Sequence, residues 1–125
     1  MPLILLVEDH ELNRDMLSRR LERRGYEVIT AANGAIGVQI ATEQKPDLVI
    51  MDLRLPELDG CEATRQIKAH PATWTTPVVV LTAESFAEAR ERALAAGCDG
   101  FETKPVEFQR LLATIVLLLG ERAPR

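Results

Sequence analysis

The chain has 125 residues, of which 46% are hydrophobic, and a formal net charge of -4 at pH 7. This length fits one domain with one substantial core and is too short for two. The mild acidity argues against a nucleic-acid groove, which needs a basic excess, and the two cysteines, Cys61 and Cys98, argue against a disulfide framework.

The first third of the chain predicts a strand, a helix and a second strand. Residues 3–7 form an unbroken apolar run, typical of a strand buried on both faces. This run is too short to span a bilayer and has no basic segment before it, so we expect a cytoplasmic protein. Residues 11–24 are a predicted helix that ends before Gly25, and residues 27–31 are a short strand. The predicted apolar stripe of the helix is Leu12, Met16, Leu17 and Leu21.

The middle of the chain repeats this alternation. A turn at Asn33-Gly34 precedes a small-residue helix over residues 35–43, which ends at Lys45-Pro46 because the residue before a proline disfavours helix. Residues 47–52 form a second continuous apolar strand. A loop over residues 53–59 leads to a helix over residues 61–69.

The last third completes five strand–helix units. We predict strands over residues 78–82 and 99–103, and helices over residues 86–96 and 107–119. The apolar side of the last helix consists of Phe108, Leu111, Leu112, Ile115, Leu118 and Leu119. Apolar strands that alternate with helices predict a doubly wound α/β domain, with a parallel sheet between two layers of helices.

Polar residues follow four of these strands. Glu8 and Asp9 follow the first strand, Asp52 and Thr82 end the third and fourth, and Lys104 follows the fifth. In open parallel sheets, ligands bind beyond the carboxyl ends of the strands, so we expect these side chains to meet there.

The residue types indicate the chemistry of such a site. Three crowded carboxylates repel one another unless a cation lies between them, and ligands that are all oxygen favour Mg²⁺. Lys104 adds a second positive charge, and together with a hydroxyl this set suits a phosphoryl group. Asp52 is the natural nucleophile, because carboxylates can form aspartyl-phosphates.

Five segments carry a resemblance to the receiver domains of bacterial response regulators. They are residues 5–9 (LLVED), 46–56 (PDLVIMDLRLP), 59–60 (DG), 77–83 (PVVVLTA) and 97–105 (GCDGFETKP). Their order and spacing resemble the family over nearly the whole chain. The resemblance implies a flavodoxin-like (βα)5 fold, with residues 1–125 forming a single receiver domain without an output domain.

The resemblance also implies a role for each site residue. Asp52 would accept a phosphoryl group from a histidine kinase or a histidine phosphotransfer protein. Lys104 and Thr82 would contact that group. Mg²⁺ would be bound by Glu8, Asp9, the Asp52 side chain and the backbone carbonyl of Arg54. The Lys104-Pro105 bond would be cis, and the Phe101 ring would follow the movement of Thr82.

Two departures from the family pattern leave alternatives open. The first acidic position carries Glu8 where the family often has aspartate, so its longer side chain would bind the metal either directly or through water. Arg54 replaces the asparagine or other polar residue of many receivers. Its side chain either tunes phosphate hydrolysis or points to solvent.

The implied output is signalling by contact, not turnover of a separate substrate. We expect a downstream protein target, and a homodimer as a further option, on the face formed by the fourth helix, fifth strand and fifth helix. Val116 and Leu117 are predicted to form an apolar patch there. The first helix carries five arginines, for which a solvated face is favoured over a dock for an acidic partner: Arg14, Arg19, Arg20, Arg23 and Arg24.

Three other functions fit the residues less well. Phosphohydrolases with an aspartyl-phosphate intermediate usually carry the nucleophile after the first strand, whereas Asp52 follows the third. A flavodoxin-like nucleotide binder needs a Gly/Ser/Thr-rich loop where Glu8 and Asp9 stand. A degenerate receiver without a switch is disfavoured because Asp9, Asp52, Thr82 and Lys104 are all present.

Overall fold

A computed structural model describes residues 1–83 and 86–122 of the chain. Its strands are β1 (Leu3–Val7), β2 (Glu27–Ala31), β3 (Leu48–Asp52), β4 (Val78–Thr82) and β5 (Gly100–Thr103). Its helices are α1 (Glu11–Arg23), α2 (Gly34–Gln44), α3 (Gly60–Ala69), α4 (Phe86–Ala95) and α5 (Phe108–Arg122). The strands form one parallel sheet in the order β2-β1-β3-β4-β5, which confirms the predicted doubly wound α/β fold.

The sheet separates two hydrophobic clusters. Alternate side chains of β1, β3 and β4 point to opposite faces, and every residue of β3 and β4 is buried. On one face they pack against α1 and α5, through residues such as Leu21 and Ile115. On the other they pack against α2, α3 and α4, through residues such as Ala41, Ile67 and Ala93. Burial on both faces explains why these strands lack polar alternation.

Local signals in the sequence define the helix starts. The side chains of His10, Asn33 and Asp59 each accept a hydrogen bond from a backbone N–H in the first turn of α1, α2 and α3. The predicted bounds of all five helices agree with the observed ones to within three residues at each end. No helix in the described part of the chain is long and apolar enough to cross a membrane.

The predicted apolar stripe of α1 is half wrong. Leu17 and Leu21 are buried as expected, but Leu12 and Met16 are 65% and 57% exposed. The inward side of α1 carries Arg14, Leu17 and Leu21, which are three and four residues apart. Leu12 is therefore exposed on the solvent side of the helix, and Met16 is exposed beside a cleft that Glu8 and Lys104 also line.

The outer face of α5 agrees with the prediction. Phe108, Leu111, Ile115 and Leu119 are buried against the sheet, while Leu117 is 64% exposed and Val116 is also exposed. On α4, Leu94 is exposed as well. Three large apolar side chains on the outer sides of α4 and α5 are therefore in contact with solvent.

Candidate phosphoryl-acceptor and metal site

The predicted site residues meet at the carboxyl edge of the sheet. Asp52 is the last residue of the central strand β3, which lies between β1 and β4. Glu8 and Asp9 directly follow β1, and Thr82 ends β4. Because all the strands run in the same direction, their carboxyl ends converge around Asp52.

Lys104 joins two buried carboxylates. Its Nζ lies 2.9 Å from Glu8 Oε1 and 3.0 Å from Asp52 Oδ2. Glu8 is 4% exposed and Asp52 is 5% exposed, so both ion pairs are shielded from water. Glu8 and Asp52 precede Lys104 by 96 and 52 positions in the sequence. The fold brings all three side chains into one charged cluster.

Glu8, Asp9 and Asp52 form a cluster with the ligand atoms that a hard cation needs. One carboxylate oxygen from each residue lies within 4.8 Å of the other two. Asp9 is exposed, so the cluster is open to solvent on its side. A donor set made only of oxygen fits Mg²⁺ and does not fit the sulfur and nitrogen preference of Zn²⁺.

Arg54 and Thr82 border the same cluster. The Arg54 backbone N–H donates to Asp52 Oδ1 at 3.3 Å, so this backbone lies beside the carboxylate, and the Arg54 side chain is exposed. Thr82 is fully buried, and its carbonyl accepts a hydrogen bond from the Lys104 N–H at 2.8 Å. The Lys104-Pro105 bond is cis, which confirms that expectation.

The three charged groups shift one another's ionisation. Burial and the negative charge of Glu8 raise the pKa of Asp52 to about 6, although Lys104 opposes the rise. Burial also acts to raise the pKa of Glu8, but hydrogen bonds from Lys104 and His10 outweigh it and the pKa is lowered. Burial acts to lower the pKa of Lys104, but the two carboxylates outweigh it, so its pKa is raised.

Two further residues shape this site: His10, which its position directly after the acidic pair predicts at the pocket rim, and Arg14, which sequence reasoning missed. The His10 backbone N–H donates to Glu8 Oε2 at 3.0 Å, and Arg14 Nη1 donates to the Glu8 carbonyl at 2.9 Å. Arg14 was grouped with the other arginines of α1. Its spacing of three and seven residues from Leu17 and Leu21 was the signal that it faces inward.

Comparisons with known proteins agree with this geometry. The family model for the response regulator receiver domain matches residues 4–116. The polar-differentiation response regulator DivK of Brucella anthropi is 36% identical over 118 residues, which covers 94% of this chain and 96% of that protein.

Two solved structures are similar over almost their whole length. The receiver domain of sensor histidine kinase PA1611 from Pseudomonas aeruginosa, with a magnesium ion coordinated in its active-site cleft, is 36% identical with a TM-score of 0.89. The alignment covers 95% of this chain and 98% of that one. The chemotaxis protein CheY4 of Vibrio cholerae is 31% identical with a TM-score of 0.88, over 94% and 98% of the two chains.

Proposed function

The chain belongs to the response regulator receiver domain family, and on that premise we propose that it is a signalling switch of a two-component system, phosphorylated on Asp52 with Mg²⁺ bound beside it. The observation that carries the proposal is the cluster of three carboxylates joined to Lys104, whose Nζ lies 3.0 Å from Asp52. A buried carboxylate next to a fixed ammonium group and two further acids suits reversible phosphoryl transfer.

Mg²⁺ is the cofactor that the site fits. Asp9, Asp52 and the backbone carbonyl of Arg54 would hold it, and Glu8 would contribute directly or through water. When bound, Mg²⁺ would neutralise charge on the phosphoryl oxygens. The two carboxylate oxygens of Glu8 already accept hydrogen bonds from Lys104 and from the His10 N–H, which favours the contribution through water.

The residues of this chain divide the transfer step between them. An Asp52 carboxylate oxygen forms a bond to phosphorus while the bond between phosphorus and the donor's histidine nitrogen breaks, and that nitrogen keeps the electron pair. Lys104 is within reach of the acquired phosphoryl oxygens because it already contacts Asp52. The Thr82 hydroxyl, at the end of the neighbouring strand, would donate a hydrogen bond to the same group.

The signal would leave the site through β5. Val80 pairs with Phe101, and Thr82 pairs with Thr103, so Thr82 and Phe101 lie on the same sheet face two positions apart. Phe101 is half-buried against the cluster of α2, α3 and α4. A shift of Thr82 toward the phosphoryl group would leave space for the Phe101 ring, which changes the face formed by α4, β5 and α5. A downstream protein or a second copy would bind that face, where Leu117 of α5 is exposed.

The phosphoryl donor would approach over α1. The exposed side chain of Met16 lines a cleft with Arg20 and Val106, and Glu8 and Lys104 also line this cleft. A histidine kinase or histidine phosphotransfer protein that presents a helix there would bring its phosphohistidine beside Asp52. The guanidinium of Arg20 lies 4.2 Å from the Phe108 ring centroid, which orients it at the edge of the cleft.

The direct test is phosphorylation by a small donor. We expect the wild-type chain to gain one phosphoryl group from acetyl phosphate only when Mg²⁺ is present, as measured by intact mass. Asp52→Asn should gain none. Asp15→Asn is the matched control, because Asp15 is exposed on α1 and pairs with Arg19 of the same helix, so it should behave as wild type. The proposal fails if the wild type gains no phosphoryl group, or if Asp52→Asn gains as much.

A further inference from the structure

One arginine of α1 is placed differently from the others. Arg14 is half-buried, whereas Arg19, Arg20 and Arg23 are exposed. It lies on the inward side of the helix in line with Leu17 and Leu21, and its guanidinium turns back toward the loop that precedes α1. There Arg14 Nη1 donates a hydrogen bond of 2.9 Å to the backbone carbonyl of Glu8.

This bond is one of four hydrogen bonds that hold Glu8 in place. The Glu8 N–H donates to the Ala31 carbonyl at 3.0 Å, and its carboxylate oxygens accept from Lys104 at 2.9 Å and from the His10 N–H at 3.0 Å. With the Arg14 bond, every polar group of Glu8 has a partner. Of these four hydrogen bonds, the one from the Arg14 guanidinium is the one that the Glu8 carbonyl accepts.

The Glu8 carbonyl determines the position of Asp9. The peptide unit between Glu8 and Asp9 is planar, so a donor that fixes the carbonyl direction also fixes the direction in which the Asp9 backbone continues. Asp9 is exposed and its carboxylate belongs to the acidic cluster with Glu8 and Asp52. Without the Arg14 bond, the Asp9 carboxylate could rotate away from the cluster with this peptide unit.

The role of Arg14 is geometric and not primarily electrostatic. The pKa of Glu8 responds to burial, to Lys104, to the His10 N–H and to Asp52, and the pKa of Asp52 responds to burial, Glu8 and Lys104. The Arg14 guanidinium is not one of the main contributors to either shift. Its guanidinium meets a neutral carbonyl, which it orients by a directional hydrogen bond.

We propose that Arg14 is a positioning residue for the metal site, because its hydrogen bond to the Glu8 carbonyl holds the Asp9 carboxylate where it can bind Mg²⁺. The inference rests on the proposed function, since it presupposes that Mg²⁺ binds at Glu8, Asp9 and Asp52. Partners that orient a metal ligand from outside the ligand set commonly change metal affinity by about tenfold or more.

The experiment compares Mg²⁺ affinity in three variants. MgCl₂ is titrated into ¹⁵N-labelled protein, and the backbone amide shifts of residues 9, 52 and 54 give the dissociation constant. We expect Arg14→Met to raise that constant by about tenfold. Arg14→Lys keeps the charge and one donor group but lacks the planar guanidinium, so its constant should fall between those of Arg14→Met and wild type. Arg19→Met is the matched control on the same helix and should leave the constant unchanged.

A kinetic measurement separates positioning from a general loss of structure. The rate of phosphorylation by acetyl phosphate should fall in Arg14→Met at low Mg²⁺ and return to the wild-type rate at saturating Mg²⁺. A rate that stays low at saturation would overturn the inference. If Arg14→Met does not fold, Arg14→Lys decides: a wild-type dissociation constant in that variant would also overturn it.

The outcomes distinguish this inference from the proposed function. If the wild type itself shows no shift with MgCl₂ at residues 9, 52 and 54, the metal site of the proposed function is wrong. If the wild type binds Mg²⁺ and Arg14→Met binds it equally well, the metal site stands and the positioning role of Arg14 is wrong.

Discussion

At the scale of single residues, the environment of Asp52 opposes its negative charge. Burial and the neighbouring Glu8 raise its pKa to about 6, and Lys104 offsets only part of that rise. The ionised form that would accept a phosphoryl group is therefore less stable in the folded chain than in water. Bound Mg²⁺ would relieve this by adding positive charge beside the carboxylate.

The raised pKa of Asp52 predicts that the stability of the metal-free protein depends on pH. The folded pKa of Asp52 lies above its ordinary value of 3.8, so the folded state binds more protons than the unfolded state between about pH 4 and pH 6. The contribution of Asp52 to the free energy of unfolding therefore decreases as the pH rises through that window. Since each pKa unit corresponds to about 1.4 kcal/mol, Asp52→Asn should be more stable than wild type at pH 7 by up to about 3 kcal/mol.

Of the other two groups, Glu8 overlaps only the lower end of this window, and Lys104 titrates above it. The pKa of Glu8 is lowered, so its contribution is complete above 4.5 and is lost as the pH falls below that value. The pKa of Lys104 is raised, so its contribution is complete below 10.5 and is lost only at higher pH. Urea unfolding in EDTA at pH 4, 5, 6 and 7 measures the difference between Asp52→Asn and wild type. A difference that does not grow from pH 4 to pH 6 would contradict the raised pKa.

At the scale of elements, the start of α3 approaches the end of β3 closely. The Gly60 N–H donates to the Leu53 carbonyl at 2.9 Å. A Cβ added to Gly60 would lie 2.1 Å from the Asp52 carbonyl oxygen and 2.8 Å from Leu53 Cα. Both of these atoms belong to the backbone, so a side chain at Gly60 can be accommodated only if α3 moves away from the site.

Gly60→Ala should therefore disturb both stability and the site. We expect a loss of about 1–3 kcal/mol in the free energy of unfolding, as for other overpacked positions, together with weaker Mg²⁺ binding because Asp52 is displaced. Gly120→Ala is the matched control, since a Cβ added to Gly120 meets nothing within 4 Å and alanine favours helix. Chemical denaturation checks the first effect and a magnesium titration the second. If the two variants were equally stable, the close approach at Gly60 would not limit packing.

At the scale of the whole molecule, the proposed signal crosses from the centre of the sheet to its edge. Asp52 ends the central strand β3, and Phe101 lies on the edge strand β5. Thr82 of β4 lies between them and is fully buried. A change at Asp52 can therefore reach the outer face through two adjacent strands.

Activation should change the environment of the Phe101 ring. We expect beryllium fluoride with Mg²⁺, which mimics the phosphorylated state, to shift the aromatic NMR signals of Phe101, because Thr82 would move toward the mimic and open space beside the ring. Asp52→Asn should show no shift under the same conditions. Tyr26, which lies before β2 at the other end of the sheet, provides the internal control. Unchanged Phe101 signals in the wild type would contradict this route.

Much of the fold followed from the sequence because its signals are local. Apolar runs such as residues 3–7 and 78–82 predict strands buried on both faces, and Gly25 and Pro46 mark where helices end. The buried stripe of α1 was harder to predict, since Leu12 and Leu17 are equally apolar. Only the position of neighbouring elements makes Leu17 a core residue and leaves Leu12 in solvent.

The sequence determined which residues belong to the site, and the tertiary structure determined which of their atoms are in contact. Glu8, Asp9, Asp52, Thr82 and Lys104 could be placed together from sequence because the carboxyl ends of parallel strands share one edge. That Lys104 lies between Glu8 and Asp52, and that Arg14 turns back to the Glu8 carbonyl, depends on distances between elements that are remote in sequence. Such contacts exist only after the sheet and its helices have packed, because residue type and spacing do not specify the direction of a long, charged side chain.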